Sequence, residues 1–357
     1  MIISICISIS IILYLYLHLP MFGTLPHNYY LKKIKKSPNY YKGKFHNINN
    51  IPIVTISFWK NIYNLFIKLP QANFPKTKPP SVKTDLNSLN KHEEIIIWFG
   101  HSSYFIQIAE KRILVDPVFS NISSPILIWP KAFANTNSYN HKEIPNIDYL
   151  IITHDHWDHL DYKTIVKLKE KISLVICGLG VGAHLKRWGI KNIIELDWDE
   201  NIKLESITIF CLPTQHFSGR GLIRNKTLWA SFLIMTYDFK IYIGGDSGYG
   251  PHFAQIGKMF KKIDLAILEN GQYNENWRYV HMFPYETFKA AQDLKAESLL
   301  PVHNSKIPLS NHSWNEPLQQ IYKIGKNSKI NLIIPKIGEK NNLRNIKPNL
   351  CKWWEDT

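Results

Sequence analysis

Three histidines and three aspartates lie within nine positions of this chain, in the stretch T-H-D-H-W-D-H-L-D from Thr153 to Asp161. The stretch directly follows residues 148–152, an apolar run of strand character. The loop at the carboxyl end of a strand is where α/β folds place their chemistry. A polar turn with scattered histidines is the alternative, but it does not explain so many metal-ligating side chains beside a strand end.

The spacing within this stretch predicts ligands for two ions. His154 and His156 are separated by one residue, so in an extended or tightly turned backbone both can point at one ion. Asp158 and His159 are adjacent, so their side chains diverge and can serve a second ion beside the first. One loop cannot complete two coordination shells, and further ligands have to come from elsewhere in the chain.

Three later strand-like runs each lead to a ligand-type residue. His216 follows residues 207–212, Asp246 follows residues 241–245, and His303 follows residues 299–302. Nitrogen and carboxylate ligands without thiolate suit zinc first, with manganese or iron as alternatives. Two divalent ions about 3.5–4 Å apart would hold a bridging hydroxide and polarise a phosphoryl or acyl oxygen.

The elements that must position these residues form two kinds of pattern. Short strand-like runs separated by turns begin near residue 94, and strands alternate with helices from residue 150 onward. The stretch ends at Asp161, which can cap a helix that begins near Tyr162. This mixture predicts sheets packed on each other with helices outside.

The stretch His154-x-His156-x-Asp158-His159 resembles the signature of the metallo-β-lactamase fold superfamily, which implies an α+β fold, a four-layer αββα sandwich. More narrowly, the chain resembles the branch that contains N-acyl-phosphatidylethanolamine-hydrolysing phospholipase D and the ascorbate-phosphate lactonase. The resemblance covers about residues 94–315. The motifs that carry it are W-F-G-H-S-S from Trp98, V-D-P-V-F-S from Val115, Q-H-F-S from Gln215 with Leu228-Trp229, and G-G-D-S-G-Y from Gly244.

The resemblance implies a role for each ligand. The first metal would be bound by His154, His156 and His216. The second metal would be bound by Asp158, His159 and His303. Asp246 would bridge both metals, and Asp158 would also orient the nucleophilic hydroxide.

Beyond the ligands, the resemblance places a histidine near the substrate, and its position here is His281. This residue would assist the leaving group or bind phosphate; a simple helix-entry residue is the alternative. Residues 268–273, L-E-N-G-Q-Y, replace the Pro-Ile-Gly-type stretch of the mammalian phospholipase, so lipid specificity is not carried over.

Four further residues are candidates around the metals. A metal-ligating imidazole usually donates its other N–H to a nearby acceptor, and His101 and Asp116 are candidates for such supporting contacts. Asp116 could equally cap a turn before Pro117. Arg220 and Arg224 follow His216 and could bind a phosphate through paired hydrogen bonds, or they could belong to a solvated loop.

Composition sets the outer limits. The 357 residues are 45% hydrophobic and 13% aromatic, which indicates a large folded core. The four cysteines are far apart and form no C-x-x-C pair, so neither a zinc ribbon nor a disulfide framework is predicted. The net charge of +15 indicates either an anionic partner or a lysine-rich coding bias, and it does not by itself select nucleic acid.

Four segments are predicted along the chain. Residues 1–22 are interpreted as a membrane anchor or signal segment, with a buried helix as the alternative. Residues 23–90 form an extended arm with one helix at 62–69, residues 91–340 form the hydrolase domain, and residues 341–357 form a tail. Lysines after residue 31 favour the cytoplasmic face of a membrane for the remaining chain.

The predicted function is hydrolysis of a phosphodiester, such as an N-acyl phospholipid, by metal-bound hydroxide. The alternatives are a lactonase or phosphorylated-sugar hydrolase, a nuclease of the same fold, and a metal-binding protein without catalysis. The predicted partners are an anionic small molecule or phospholipid and, through the first 22 residues, a membrane. Nucleic acid is disfavoured because no separate binding module is visible, and a homodimer is left open.

Overall fold

Two seven-stranded sheets dominate the computed structural model, which describes residues 2–55, 74–125, 130–349, 351–355 and 357. In spatial order the first sheet contains β16 (Lys340–Asn342), β3 (Ile95–Trp98), β4 (Tyr104–Ile108), β5 (Lys111–Val115), β6 (Ile147–Ile152), β7 (Ile172–Gly178) and β8 (Ile193–Leu196). The second contains β15 (Asn331–Leu332), β14 (Ala296–Val302), β13 (Ile263–Glu269), β12 (Lys240–Ile243), β11 (Ser231–Met235), β10 (Ile207–Leu212) and β9 (Asn201–Leu204). A short ribbon pairs β1 (Tyr40–Tyr41) with β2 (Lys44–Phe45).

The described α-helices lie before, between and after these strands, at Ile2–Leu17, Asn28–Ile34, Tyr162–Leu168, Val181–Arg187, His252–Phe260, Pro284–Asp293 and Glu316–Gly325. The helix predicted at residues 62–69 lies outside the described residues. Asp161 does cap the helix Tyr162–Leu168, since its side chain accepts a hydrogen bond from the Lys163 N–H. This cap fixes the point at which the ligand-bearing loop ends and the helix begins.

The two faces of the first sheet are buried in two separate hydrophobic cores. Ile96 and Trp98 of β3 belong to the large core between the sheets, whereas Ile95 and Ile97 belong to a second core outside it. Because side chains alternate along a strand, one short apolar run serves both layers. The helices Tyr162–Leu168 and Val181–Arg187 cover the outer core through side chains such as Ile165. The predicted αββα sandwich is therefore confirmed.

Parallel pairing brings several strand ends to one edge of each sheet. In the first sheet β5, β6, β7 and β8 are parallel, and in the second β12, β13, β14 and β15 are parallel. Parallel strands end at a common edge, so the loops that follow them lie together. The loops after β5 and β6 face those after β12, β13 and β14, and this is the location of the metal-type side chains.

The N-terminal helix corrects the prediction of a membrane anchor. It spans Ile2–Leu17, 16 residues, and the chain leaves the helix before Pro20, whose ring disfavours helical backbone at the preceding residue. At about 1.5 Å per residue such a helix is roughly 24 Å long, shorter than the ~30 Å hydrocarbon core of a bilayer. Within the described part of the chain, no helix is long and apolar enough to cross a membrane. The predicted anchor and the membrane-associated localisation that depended on it are wrong.

Both terminal segments pack against the sandwich. Ile34 and Phe45 from the arm are fully buried in the core between the sheets. At the other end, β16 is the edge strand of the first sheet, and Trp353 and Trp354 are buried in the same core. The structure thus moves the boundary drawn at residue 340, because the residues predicted as a tail supply a strand and two core tryptophans.

Candidate metal centre

The first group of converging side chains consists of His154, His156, His216 and Asp246, whose ligand atoms all lie within 4.8 Å of one another. His156 Nδ1 is 2.8 Å from His154 Nε2 and 3.2 Å from His216 Nε2. Nitrogens arranged tetrahedrally at ~2.0–2.1 Å from zinc would be about 3.3 Å apart, so this spacing suits a shared ion. We call these four residues the first cluster.

The second group consists of His101, Asp158, His159 and His303, again with ligand atoms within 4.8 Å of one another. Asp246 lies between the two groups. Its Oδ1 is 3.2 Å from His159 Nε2 and 3.3 Å from His303, while its Oδ2 is 3.6 Å from His216 Nε2. One carboxylate therefore faces both groups, which is the arrangement expected of a bridging ligand. We call the second group the second cluster.

Unsatisfied atoms test whether these residues fit metal ions. His159 Nε2 and Asp246 Oδ1 are buried and have no hydrogen-bond partner among the described residues. Buried polar atoms are normally paired, and these two atoms lie 3.2 Å apart at the centre of the clusters, where one cation would satisfy both. Nitrogen and carboxylate donors without thiolate agree with zinc, manganese or iron. The residues present therefore fit two divalent ions.

The protonation states of two histidines of the first cluster also suit metal binding. Burial, reinforced by neighbouring histidines, lowers the pKa of His154 well below its usual value, and burial lowers the pKa of His216 in the same way. Both imidazoles are therefore neutral at pH 7, as a metal ligand must be. Burial raises the pKa of Asp246, but His159 and His303 outweigh it and hold that pKa well below normal.

Two residues predicted to support the ligands contact them directly. Asp116 accepts a hydrogen bond from His159 Nδ1 at 2.7 Å and another from the Thr153 N–H at 2.9 Å. His101 Nε2 lies 2.8 Å from Asp158 Oδ2. Fixing Nδ1 of His159 leaves its Nε2 free to face Asp246, and the contact with His101 orients the carboxylate predicted to aim the nucleophile.

His281 lies at the mouth of the centre rather than at a helix entry. Its ring is stacked 5.3 Å from His303 and lies edge-on 5.1 Å from His216, between the two clusters. The residue that caps the following helix is Phe283, two positions later. His281 Nδ1 donates to Glu269 Oε2 at 2.6 Å, which leaves Nε2 for the pocket.

Glu269 is a residue that the sequence analysis missed. It ends β13, between the strands that lead to Asp246 and His303, so the rule that located those ligands would also have found it. Its Oε1 accepts from the Met282 N–H at 2.8 Å, and its side chain is fully enclosed. Burial opposes the protonated imidazole, but the Glu269 carboxylate raises the pKa of His281 to about 9.

The two arginines predicted to bind substrate lie in different environments. Arg224 lines the same pocket as His156, Asp158 and His281, and its guanidinium lies 5.3 Å over the Phe217 ring. Arg220 instead is only 4% exposed. Its N–H groups go to the carbonyl oxygens of Met21, Asp155 and Leu160. Four of its five N–H groups are used inside the protein, and Arg220 does not line the pocket that contains Arg224. Arg220 ties the segment just before the arm to the ligand-bearing loop.

We expect Arg220→Ala to lower the free energy of unfolding by about 3 kcal/mol or more, because three buried carbonyls lose a charged donor at ~1–3 kcal/mol each. Chemical denaturation of the purified variant measures this. Arg224→Ala in the same loop is the matched control, because that exposed side chain has no hydrogen bond within the described ranges, and we expect a change within ~0.5 kcal/mol. Equal stabilities for the two variants would contradict the structural role of Arg220.

Comparison with known proteins agrees with this geometry. The family model of the beta-lactamase superfamily domain matches residues 111–304, more than half of the chain. An uncharacterized protein of Mycobacterium tuberculosis is 33% identical over 90% of this chain and 88% of its own length. A possible metal-dependent hydrolase of Veillonella parvula has the same fold, with a TM-score of 0.56 at 13% identity over 70% of this chain and 99% of that chain.

Fold, clusters and family model together define a metal-dependent hydrolase with the metallo-β-lactamase fold. The chain belongs to the β-lactamase superfamily. It is also similar to the mitochondrial N-acyl-phosphatidylethanolamine-hydrolyzing phospholipase D of Saccharomyces cerevisiae, with 33% identity over 63% of this chain and half of the relative. The match to the mycobacterial protein covers 90% of this chain. Residues 91–357 alone are a smaller share than that, so the matched region also includes part of the N-terminal arm.

Proposed function

We propose that this hydrolase cleaves phosphodiesters, with phospholipids of the N-acyl phosphatidylethanolamine class as the first candidates. The observation that carries the proposal is a pocket of about 240 Å³ that joins Arg224 to residues of both clusters and to His281. A phosphodiester is a single negative charge at the reacting centre, and this pocket offers it one guanidinium. The similarity to the yeast phospholipase supports the same substrate class.

The pocket is lined by apolar as well as charged side chains. Its apolar lining includes Ile53, Phe217, Trp277 and Leu309. An amphiphilic substrate would place its phosphate against Arg224 and the clusters and the adjoining carbon chains against these side chains. That division suits a phospholipid better than a small sugar phosphate.

The chain's own residues would divide the chemical work. His154, His156, His216, Asp158, His159, His303 and Asp246 would hold two divalent ions, which when bound lower the pKa of water to about 7 and so supply a nucleophile at neutral pH. Asp158 is held by His101 and would orient that nucleophile. His281, kept protonated by Glu269, would give a proton to the leaving oxygen.

The decisive experiment combines metal analysis of the purified protein with a substrate panel. The panel contains N-acyl phosphatidylethanolamine and phosphatidylcholine in mixed micelles, a chromogenic phosphodiester, a set of lactones, and RNA at varied salt. We expect about two metal ions per chain and turnover of the phosphodiesters that a chelator removes and added metal restores. Turnover of lactones alone would refute the proposal, and turnover of RNA without the phospholipids would refute the phospholipid as the first candidate substrate.

Arg224→Ala tests the anionic side of the pocket. We expect KM for the phosphodiester to rise about 10–100-fold, because hydrogen bonds to a charged group contribute ~1.5–3 kcal/mol. Arg224→Lys keeps the charge but not the planar pair of donors, so we expect an intermediate KM. Lys191→Ala removes a cation from the exposed surface and is the control for net charge. Unchanged KM in Arg224→Ala would exclude this residue from substrate binding.

A further inference from the structure

The N-terminal arm reaches the metal centre through backbone and side-chain contacts. The Thr24 N–H donates to His184 Nδ1, and the carbonyl of Met21, just before the arm, accepts from Arg220. Farther along, the Phe45 N–H donates to the carbonyl of Asn225. Arg220 and Asn225 belong to the loop after His216, and His184 belongs to the helix Val181–Arg187 and contacts Asp155 of the ligand-bearing loop. The arm itself lies outside the matched residues 111–304. The arm is thus packed where it can influence the ligands.

One residue of the arm contacts a ligand directly. Asn47 Nδ2 donates to the carbonyl oxygen of His216 at 2.8 Å, and its Oδ1 accepts from the His216 N–H at 3.1 Å. The same Oδ1 accepts from Trp229 Nε1 at 3.0 Å. A single amide therefore pairs with both backbone groups of His216 and is itself held by a buried tryptophan.

His216 needs this support because of where it lies. It follows β10 beyond the last residue paired with β11, so no strand partner satisfies its backbone. The residue is fully buried, and in the described structure Asn47 provides the hydrogen bonds to its backbone. Buried backbone groups without partners are costly, so the loop would move without Asn47.

The ring of His216 is held separately. Its Nδ1 lies 3.0 Å from the carbonyl oxygen of Val280 and donates to it, which leaves Nε2 unprotonated toward His156 and Asp246. Asn47 fixes where the residue sits, and Val280 fixes which nitrogen faces the cluster. Removing either contact would misplace a ligand without removing it.

We propose that Asn47 is a positioning residue of the first cluster, supplied by the N-terminal arm, and that it sets the metal affinity of that cluster through the backbone of His216. The proposal rests on the assignment of His216 as a ligand in the proposed function. It makes the arm a part of the catalytic unit and not an accessory to it.

The test measures metal affinity in the full chain. For Asn47→Ala we expect the affinity of one of the two metal ions to fall about 10–100-fold in chelator competition. We also expect the visible spectrum of the cobalt(II)-loaded protein to change for one ion and not for the other. If Asn47→Ala lowers the melting temperature but leaves the metal affinity and the cobalt spectrum at the parent values, the contact is merely structural. That result would overturn the proposal.

Two controls separate positioning from general stability. Ser37→Ala removes a buried hydroxyl of the arm that accepts from the Asn39 N–H but leaves the contacts of Asn47 with His216, so we expect parent metal affinity. Asn50→Ala alters an exposed asparagine three positions away and should change nothing. If Asn47→Ala does not fold, Asn47→Asp takes its place. Asn47→Asp keeps the hydrogen bonds accepted from His216 and Trp229 and loses the one donated to the carbonyl of His216. The proposal then requires a changed cobalt spectrum, and an unchanged spectrum overturns it.

His216→Ala provides the reference that distinguishes the two proposals. If this variant keeps two tightly bound ions, the ligand assignment fails, and the proposal for Asn47 fails with it. If it loses one ion while Asn47→Ala retains parent affinity and spectrum, the proposal for Asn47 is wrong and the proposed function stands. Loss of affinity in both variants supports both.

Discussion

Asp246→Ala is expected to lose at least about 100–1,000-fold in kcat/KM and most of the bound metal, a cost comparable with removing a group that stabilises transition-state charge. Its two carboxylate oxygens face different clusters, with Oδ1 toward His159 and His303 and Oδ2 toward His154 and His216. No other described carboxylate lies within reach of both clusters in this way. Metal analysis and steady-state kinetics on the same preparation measure the two losses.

Asp246→Asn sharpens this expectation. Asparagine keeps the size of the side chain and one ligand oxygen, but it removes the negative charge and presents an NH2 group to one cluster. We therefore expect one ion to be retained and the other to be lost. Asp85→Ala, which removes a carboxylate on the exposed surface, is the control and should retain parent metal content and kinetics. Full activity in Asp246→Ala would refute the proposed centre.

The fold could be predicted from sequence because its strands are short apolar runs with polar boundaries. β6 was recognisable for that reason, and so were the runs that lead to His216, Asp246 and His303. Parallel pairing then brings the ends of β12 and β14 to the same edge of the sheet. Ligands that directly follow strand ends can therefore be predicted from the sequence alone.

What the sequence did not reveal depends on contacts between distant segments. Arg220 looked like a phosphate ligand because it follows a metal ligand, yet its guanidinium lies against the carbonyl of Met21, 199 residues earlier. Asn47 is one of many asparagines in a segment without periodicity, and only its contacts set it apart. The apolar run from Ile2 to Leu19 is long enough in sequence to suggest a membrane span, but the helix ends at Leu17, two residues before the run does.

Glu269 shows how a departure from a familiar motif can carry information. The stretch L-E-N-G-Q-Y differs from the corresponding stretch of the mammalian phospholipase, and from the sequence alone this difference predicts only that lipid specificity is not carried over. In the structure its glutamate is buried against His281 and close to Asp246 and His303. The replacement therefore places a carboxyl group in direct contact with His281.

Glu269→Gln is expected to move the alkaline limit of activity downward. In the parent protein the pKa of His281 is raised to about 9, so its imidazole stays protonated up to that pH. Without the carboxylate the pKa should fall toward the ordinary 6.5, and the protonated form would be lost as pH rises through that lower value. Profiles of kcat/KM from pH 5 to 10 should therefore show the alkaline limb shifted downward by about 2.5 pH units.

The leaving group separates this role from a general disturbance of the centre. A nitrophenolate departs without a proton, so we expect its release at pH 8 to change little in Glu269→Gln or His281→Ala. An alkoxide leaving group, as in a phospholipid, needs the proton, and we expect its release to slow about 100-fold or more, the usual contribution of a general acid. Equal losses for both leaving groups would show that Glu269 and His281 shape the pocket and do not transfer a proton.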